Sequence, residues 1–158
     1  MQVVLMVCTG NICRSPMAEY FLRSMLPRSL AGRVAARSAG VHALDGHGAA
    51  PEAIQVMRAY GIDLAPHVAR SLDPAMVRSS GMILVMEPFQ EEIVRWVLPA
   101  GEAGKVRLLG EFGPVDRAAV IEDPYGGPLP AYRQAAARIR ECVAGLVARL
   151  TPEQPTRR

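Results

Sequence analysis

Four short apolar runs, residues 2–7, 33–40, 81–88 and 105–110, are separated by segments whose hydrophobic residues recur at helical spacing. After the first run come Met17, Phe21 and Met25, and the closing segment carries Tyr132, Ala136, Ile139, Val143 and Leu146. Proline stands where a helix would open, at Pro51, Pro74 and Pro88. Strands that alternate with helices must pair in parallel, because each crossover returns the chain to the same edge of the sheet. Near-continuous apolar strands also imply that both faces of the sheet are covered. The pattern predicts a single-domain, three-layer α/β/α fold with a four-stranded parallel sheet. A chain of 158 residues is long enough to bury one core without staples. The domain is expected to span residues 1–150, with "TPEQPTRR" (151–158) as a flexible C-terminal tail.

The first run passes directly into "CTGNICRS", residues 8–15, and then into a helix. In an open parallel sheet, ligands collect where strands end and helices begin, because the free N–H groups and the dipole of a helix N-terminus attract anions. Gly10 and Asn11 are the residue types that most readily accept positive φ and turn successive amides inward. Arg14 adds a planar fork matched to two phosphate oxygens. Ser15 can cap the helix and Pro16 can open it. The positive potential of such a cup favours the thiolate of Cys8, which becomes a nucleophile beneath a phosphate cradle. Cys-x5-Arg alone is a weak motif: with seventeen arginines and three cysteines, chance supplies one in about a third of such chains. Its position between an apolar strand and a helix gives it weight.

The excess of positive charge, +3, is carried by seventeen Arg and one Lys spread along the chain. With no basic tract and no interleaved aromatics, nucleic acid is not an expected partner. No run approaches the ~18 apolar residues of a membrane span, and the N-terminus has no signal-peptide pattern, so a cytoplasmic protein without membrane insertion is expected. Cys8, Cys13 and Cys142 form an odd set without Cys-x-x-Cys, unlike a disulfide framework or a zinc site. Neither a metal nor a cofactor is expected.

The segment "VCTGNICRSPMAE" resembles the signature of the low-molecular-weight protein tyrosine phosphatases, and the order of elements is similar up to about residue 150. The resemblance implies hydrolysis of protein phosphotyrosine through a cysteinyl-phosphate, with Cys8 as nucleophile, Arg14 as phosphate clamp and Asp123 of "IEDPYGG" as general acid. It further implies a phosphate-binding loop of Thr9, Gly10, Asn11, Ile12, Cys13 and Ser15, the last stabilising the thiolate. Asn11 would be supported by Ser38 and His67, and the substrate pocket walled by Ile12, Leu44 and Tyr125. Glu122 competes with Asp123 for the acid role. Leucine at position 44 is similar to the bacterial branch associated with capsule and exopolysaccharide systems, which implies a bacterial tyrosine kinase as partner and inorganic phosphate as product and inhibitor. His42, Asp45 and His47 are read as ordinary residues of a surface loop.

Three relatives of the reading stay open. Arsenate reductases share the loop but need further cysteines in mid-chain, and none lies between Cys13 and Cys142. Protein arginine phosphatases tend to carry Thr at the position of Ile12, where an apolar side chain suits a phenyl ring better than a guanidinium. A non-catalytic phosphate-binding module would need neither Cys8 nor Asp123. Cys13 itself has two readings: a redox partner that traps oxidised Cys8 as a disulfide, or a thiol packed beneath the loop.

Overall fold

The computed structural model describes residues 1–116 and 118–152. Its strands are β1 (Gln2–Cys8), β2 (Val34–Gly40), β3 (Met82–Val85) and β4 (Val106–Leu108). Its helices are α1 (Arg14–Met25), α2 (Pro51–Arg58), α3 (Pro74–Ser79), α4 (Pro88–Val97) and α5 (Leu129–Leu150). All strand pairs are parallel, in the order β2-β1-β3-β4. The sheet and the single domain are those expected.

β1 is buried from Val4 to Cys8, and its side chains divide by the two-residue period of a strand. Val4, Met6 and Cys8 join the core that holds Met17 and Phe21 of α1, Met57 of α2 and Ile139 of α5. Leu5 and Val7 join the opposite core, with Val77 of α3 and Val94 of α4. A central strand with helices on both faces has no solvent side, so an unbroken apolar run is what it requires. Because β2 and β3 lie on opposite sides of β1, the loop after β1 opens at the point where the sheet order reverses.

Two strands are shorter than their apolar runs. β3 stops at Val85, since Met86 and Glu87 already belong to the entrance of α4, where the Gln90 side chain accepts both their N–H groups (2.9 and 3.1 Å). β4 stops at Leu108, and Leu109–Phe112 winds into a 3₁₀ turn. The long segment that follows is tied to the end of β3 by the bond from Ile121 N–H to Met86 O (3.0 Å). α5 ends at Leu150, and residues 153–158 of the expected tail lie outside the described residues. Among the described residues no helix is long and apolar enough to cross a membrane.

Candidate active site

The loop from Cys8 to Cys13 has its carbonyls turned outward and occupied. Cys8, Thr9, Gly10 and Ile12 accept from the N–H groups of Val41, His42, Leu44 and Ala50 at 2.9–3.1 Å, and Cys13 accepts from Met17 at 3.2 Å. Asn11 O accepts from Nε2 of His67 at 2.7 Å. With the carbonyls taken, the amides of Thr9 to Cys13 find no acceptor among the described residues and converge with the free N–H groups at the start of α1. Such a ring of donors is a site for an anion.

Asn11 sets the curvature. It adopts φ 56°, the only positive φ of a non-glycine among the described residues, at a cost of about 1–2 kcal/mol. Its fully buried side chain offsets that cost with three bonds: Nδ2 donates to Ser15 Oγ (2.8 Å) and Ser38 Oγ (3.0 Å), and Oδ1 accepts from Arg70 N–H (3.0 Å). Ser38 donates in turn to Glu19 (2.7 Å), which pairs with Arg23 (2.6 Å). Burial pushes His67 below its ordinary range, so the ring is neutral and its bond to a carbonyl places the proton on Nε2. The structure thus brings Ser38 and His67 both into hydrogen-bond contact with Asn11. Gly10 does not take the positive φ expected of it, because Asn11 alone makes the turn.

β2 ends at Gly40, directly beneath the loop. A Cβ there would lie 2.5 Å from Thr9 O and 3.0 Å from Asn11 N. Gly40→Ala is therefore expected to displace the loop, losing about 1–3 kcal/mol of stability in urea denaturation together with most of the activity. An alanine variant with wild-type kinetics would mean that the loop tolerates the shift.

Cys8 Sγ lies 2.9 Å from Ser15 Oγ. Asn11 already donates to that oxygen, and Ala39 O is farther away at 3.5 Å, which leaves the hydroxyl proton for the sulfur. Ser15 is consequently not the helix cap expected: α1 begins at Arg14, with Cys13 at the cap position and no side-chain cap bond. Arg14 is 1% exposed. Its Nη1 is bound by Ile121 O (2.8 Å) and Glu87 Oε2 (3.1 Å), and its Nη2 faces Asp123 Oδ2 at 3.4 Å. Arg14 Nε is buried without a partner among the described residues. The Nε–Nη2 edge is therefore a fork whose satisfaction calls for a bidentate anion.

A cavity of about 210 Å³ stands over this fork, walled by Ile12, His42, Leu44 and Tyr125, with Cys8 and Asp123 both on its lining. Tyr125 N–H holds Asp123 Oδ1 at 3.1 Å. Glu122 instead lines a neighbouring cleft of about 660 Å³. Of the three loop residues read as ordinary, His42 reaches the cavity and Asp45 accepts from Ser71 Oγ (2.7 Å). Cys13 is buried and donates to Tyr132 Oη at 3.7 Å, and burial pushes its thiol up to about 12. Glu87, Gln90, Glu19 and Arg70 were absent from the residues singled out. Gln90 Nε2 donates to Thr9 Oγ1 (3.1 Å), so the start of α4 is bonded to the loop. The Glu87-Pro88 step at the end of an apolar run was the available signal. No group of His, Cys, Asp and Glu among the described residues is arranged to hold a metal.

Comparison with known proteins matches residues 3–156 to the family model described as low molecular weight phosphotyrosine protein phosphatase. The chain is similar to the probable low molecular weight protein-tyrosine-phosphatase EpsP of Ralstonia nicotianae, 40% identical over 94% of this chain and 96% of that protein. It is also similar to the crystal structure of the tyrosine phosphatase Wzb from Escherichia coli K30 in complex with sulphate (31% identity, TM-score 0.83, 95% and 99% of the two chains). The YwlE arginine phosphatase of Geobacillus stearothermophilus matches as well (32% identity, TM-score 0.82, 95% and 93%).

Proposed function

The chain belongs to the low molecular weight phosphotyrosine protein phosphatase family and is a protein-tyrosine-phosphatase, and from that premise we propose that Cys8, Arg14 and Asp123 carry out the hydrolysis in two displacements. In the first, the Cys8 thiolate attacks phosphorus in line, forming the P–S bond as the P–O bond to tyrosine breaks. Asp123, in its protonated form, gives its proton to the departing phenolate oxygen. In the second, the Asp123 carboxylate takes a proton from water, the oxygen attacks phosphorus, and the P–S bond breaks to return the thiolate and release inorganic phosphate. Phosphate would then inhibit by rebinding the same cup.

The observation that carries this reading is the unpartnered Nε of buried Arg14, 3.4 Å on its Nη2 side from the carboxylate of Asp123, in a cavity whose lining includes Cys8. The fork and the loop amides would hold the three equatorial oxygens, where charge grows in the transition state. Ser15 would steady the thiolate, and Glu87 would hold the guanidinium in plane. Ile12, Leu44 and Tyr125 would enclose the phenyl ring. A non-catalytic phosphate module would have no use for the sulfur or for Asp123. As protein substrate we assign an autophosphorylated bacterial tyrosine kinase, a reading supported by similarity to bacterial tyrosine phosphatases.

The similarity to an arginine phosphatase keeps phosphoarginine as a second reading. Against it stands Ile12, which lines the cavity with an apolar side chain where a guanidinium would need polar contacts. Paired phosphotyrosine and phosphoarginine peptides decide between them. Wild type is expected to favour phosphotyrosine, and Ile12→Thr to shift the ratio toward phosphoarginine. A wild-type preference for phosphoarginine would overturn the assignment.

Cys13 is further assigned a redox role. Peroxide would oxidise Cys8 to a sulfenic acid; the Cys13 thiolate would then attack that sulfur, forming the disulfide and breaking the S–O bond to release hydroxide, which takes a proton from solvent. Since burial pushes the Cys13 thiol up to about 12, the thiolate is scarce at neutral pH, and capture should quicken roughly tenfold per pH unit between about pH 7 and 9. Activity lost to peroxide should return with dithiothreitol in wild type and not in Cys13→Ser. Equal recovery in both would leave Cys13 a packing residue.

A further inference from the structure

A second cavity, of about 250 Å³, shares no lining residue with the one over Cys8. Its lining includes three arginines, Arg23, Arg37 and Arg70, with Glu19, Ser38 and His67. Like charges gathered in one concavity repel unless something offsets them. Glu19 is the single carboxylate of the lining, and it is already committed to Arg23 and Ser38. Among the described residues neither Arg37 nor Arg70 has a carboxylate partner. With His67 neutral, the lining carries a net charge of +2, three arginines against one glutamate.

Each arginine is also fixed at one nitrogen. Arg37 Nη1 donates to Ala36 O (2.9 Å), Arg70 Nε to Ser38 O (2.9 Å), and Arg23 Nη2 to Ala36 O (3.4 Å) and Glu19. Anchoring of this kind leaves the remaining N–H groups of each fork open while removing much of the freedom that binding would otherwise have to freeze. The volume suits a single phosphate group, too small for a duplex or a helix.

We infer that this cleft is a second anion site, taking a phosphate dianion on the open edges of Arg23, Arg37 and Arg70. It is joined to the catalytic loop by short links. Ser38 accepts from Arg70 on its carbonyl and from Asn11 on its hydroxyl, and the Arg70 N–H holds Asn11 Oδ1. An anion that draws on Arg70 therefore acts on the residue that bends the loop, and occupancy of one site changes the affinity of the other by a reciprocal factor.

The dianion has two sources: free inorganic phosphate, which the enzyme itself releases, or a phosphomonoester on a peptide. The test is a titration of isotope-labelled enzyme with inorganic phosphate, following the loop amides and the arginine Nε–H signals by NMR. Arg37 is the residue to change, because it is exposed and its hydrogen bond goes to Ala36 O, outside the catalytic loop. Two binding curves are expected in wild type, and Arg37→Glu should weaken the second by roughly tenfold or more while leaving the first and the basal kcat/KM unchanged. A single curve, or a second curve that Arg37→Glu leaves unmoved, overturns the site. A parallel titration with a non-hydrolysable phosphonate peptide distinguishes the sources: a second curve with the peptide assigns the site to phosphopeptides, and its absence beside a phosphate curve assigns it to free phosphate. Coupling has its own readout. Phosphate should depart from pure competition with substrate in wild type and return to it in Arg37→Glu, and pure competition in both would refute the link through Asn11.

Discussion

Cys8→Ser is expected to lower turnover of aryl phosphates by at least about 10⁴-fold while the fold and the affinity for phosphate stay near wild type. A serine hydroxyl keeps its proton at neutral pH, so in-line attack loses its nucleophile. The contacts that shape the cup are made by neighbours: the outward carbonyl bonds, the Asn11 network and the Arg14 fork involve the Cys8 backbone at most. The sulfur lies 2.9 Å from Ser15 Oγ, a distance a serine oxygen can keep by hydrogen bonding. Steady-state rates with p-nitrophenyl phosphate, set beside phosphate affinity by calorimetry, check both halves. Residual activity of more than a few per cent would take Cys8 out of the nucleophile role; loss of phosphate binding together with activity would point to collapse of the loop instead.

For Asp123→Asn the expected loss is roughly 10² to 10⁴-fold with poor leaving groups, the usual yield of a general acid. The loss should shrink as the leaving phenol becomes more acidic, because such a phenolate departs without a proton. A second effect has the opposite sign. Asp123 Oδ2 sits 3.4 Å from Arg14 Nη2 and competes with an incoming anion for that nitrogen, so the neutral amide should tighten phosphate inhibition even as turnover falls. Glu122→Gln should do neither, since Asp123 lines the cavity over Cys8 and Glu122 does not. If the glutamine variant shows the leaving-group dependence and the asparagine variant does not, the acid is Glu122.

Much of this site was legible because it is local. Cys8, Asn11, Arg14 and Ser15 lie within eight consecutive residues between a strand and a helix, and residue type alone pointed to the positive φ at Asn11. Where type only permits, it misled: glycine tolerates positive φ without requiring it, so Gly10 was expected to turn and does not. Ser15 had two possible partners, an N–H group of its own helix or a sulfur seven residues away. Packing of β1 against α1 chose the sulfur. Glu87 and Gln90 were illegible for a different reason. Their place beside Arg14 and Thr9 follows from β3 lying next to β1, and a strand order of β2-β1-β3-β4 is not written in the spacing of apolar residues. Strand ends failed similarly at β3 and β4, where apolar residues continue past the last sheet bond into turns.

The outward carbonyls of the loop bear on when it can form. Thr9, Gly10 and Ile12 are bonded to His42, Leu44 and Ala50, partners 33, 34 and 38 residues downstream, and Asn11 waits for His67, 56 residues away. Each such pairing closes a chain loop whose entropy must be met before the contact returns anything. The pentapeptide between Cys8 and Arg14 therefore has little reason to hold its shape in a nascent chain, and its contacts form no earlier than the pairing of β1 with β2, where Gln2 meets Val34 across a similar closure. Catalytic competence is then a property of the finished fold: a partly folded chain that keeps β1 paired with β2 and β3 but has not docked residues 41–67 would carry every side chain proposed for catalysis and no cup to receive the phosphate.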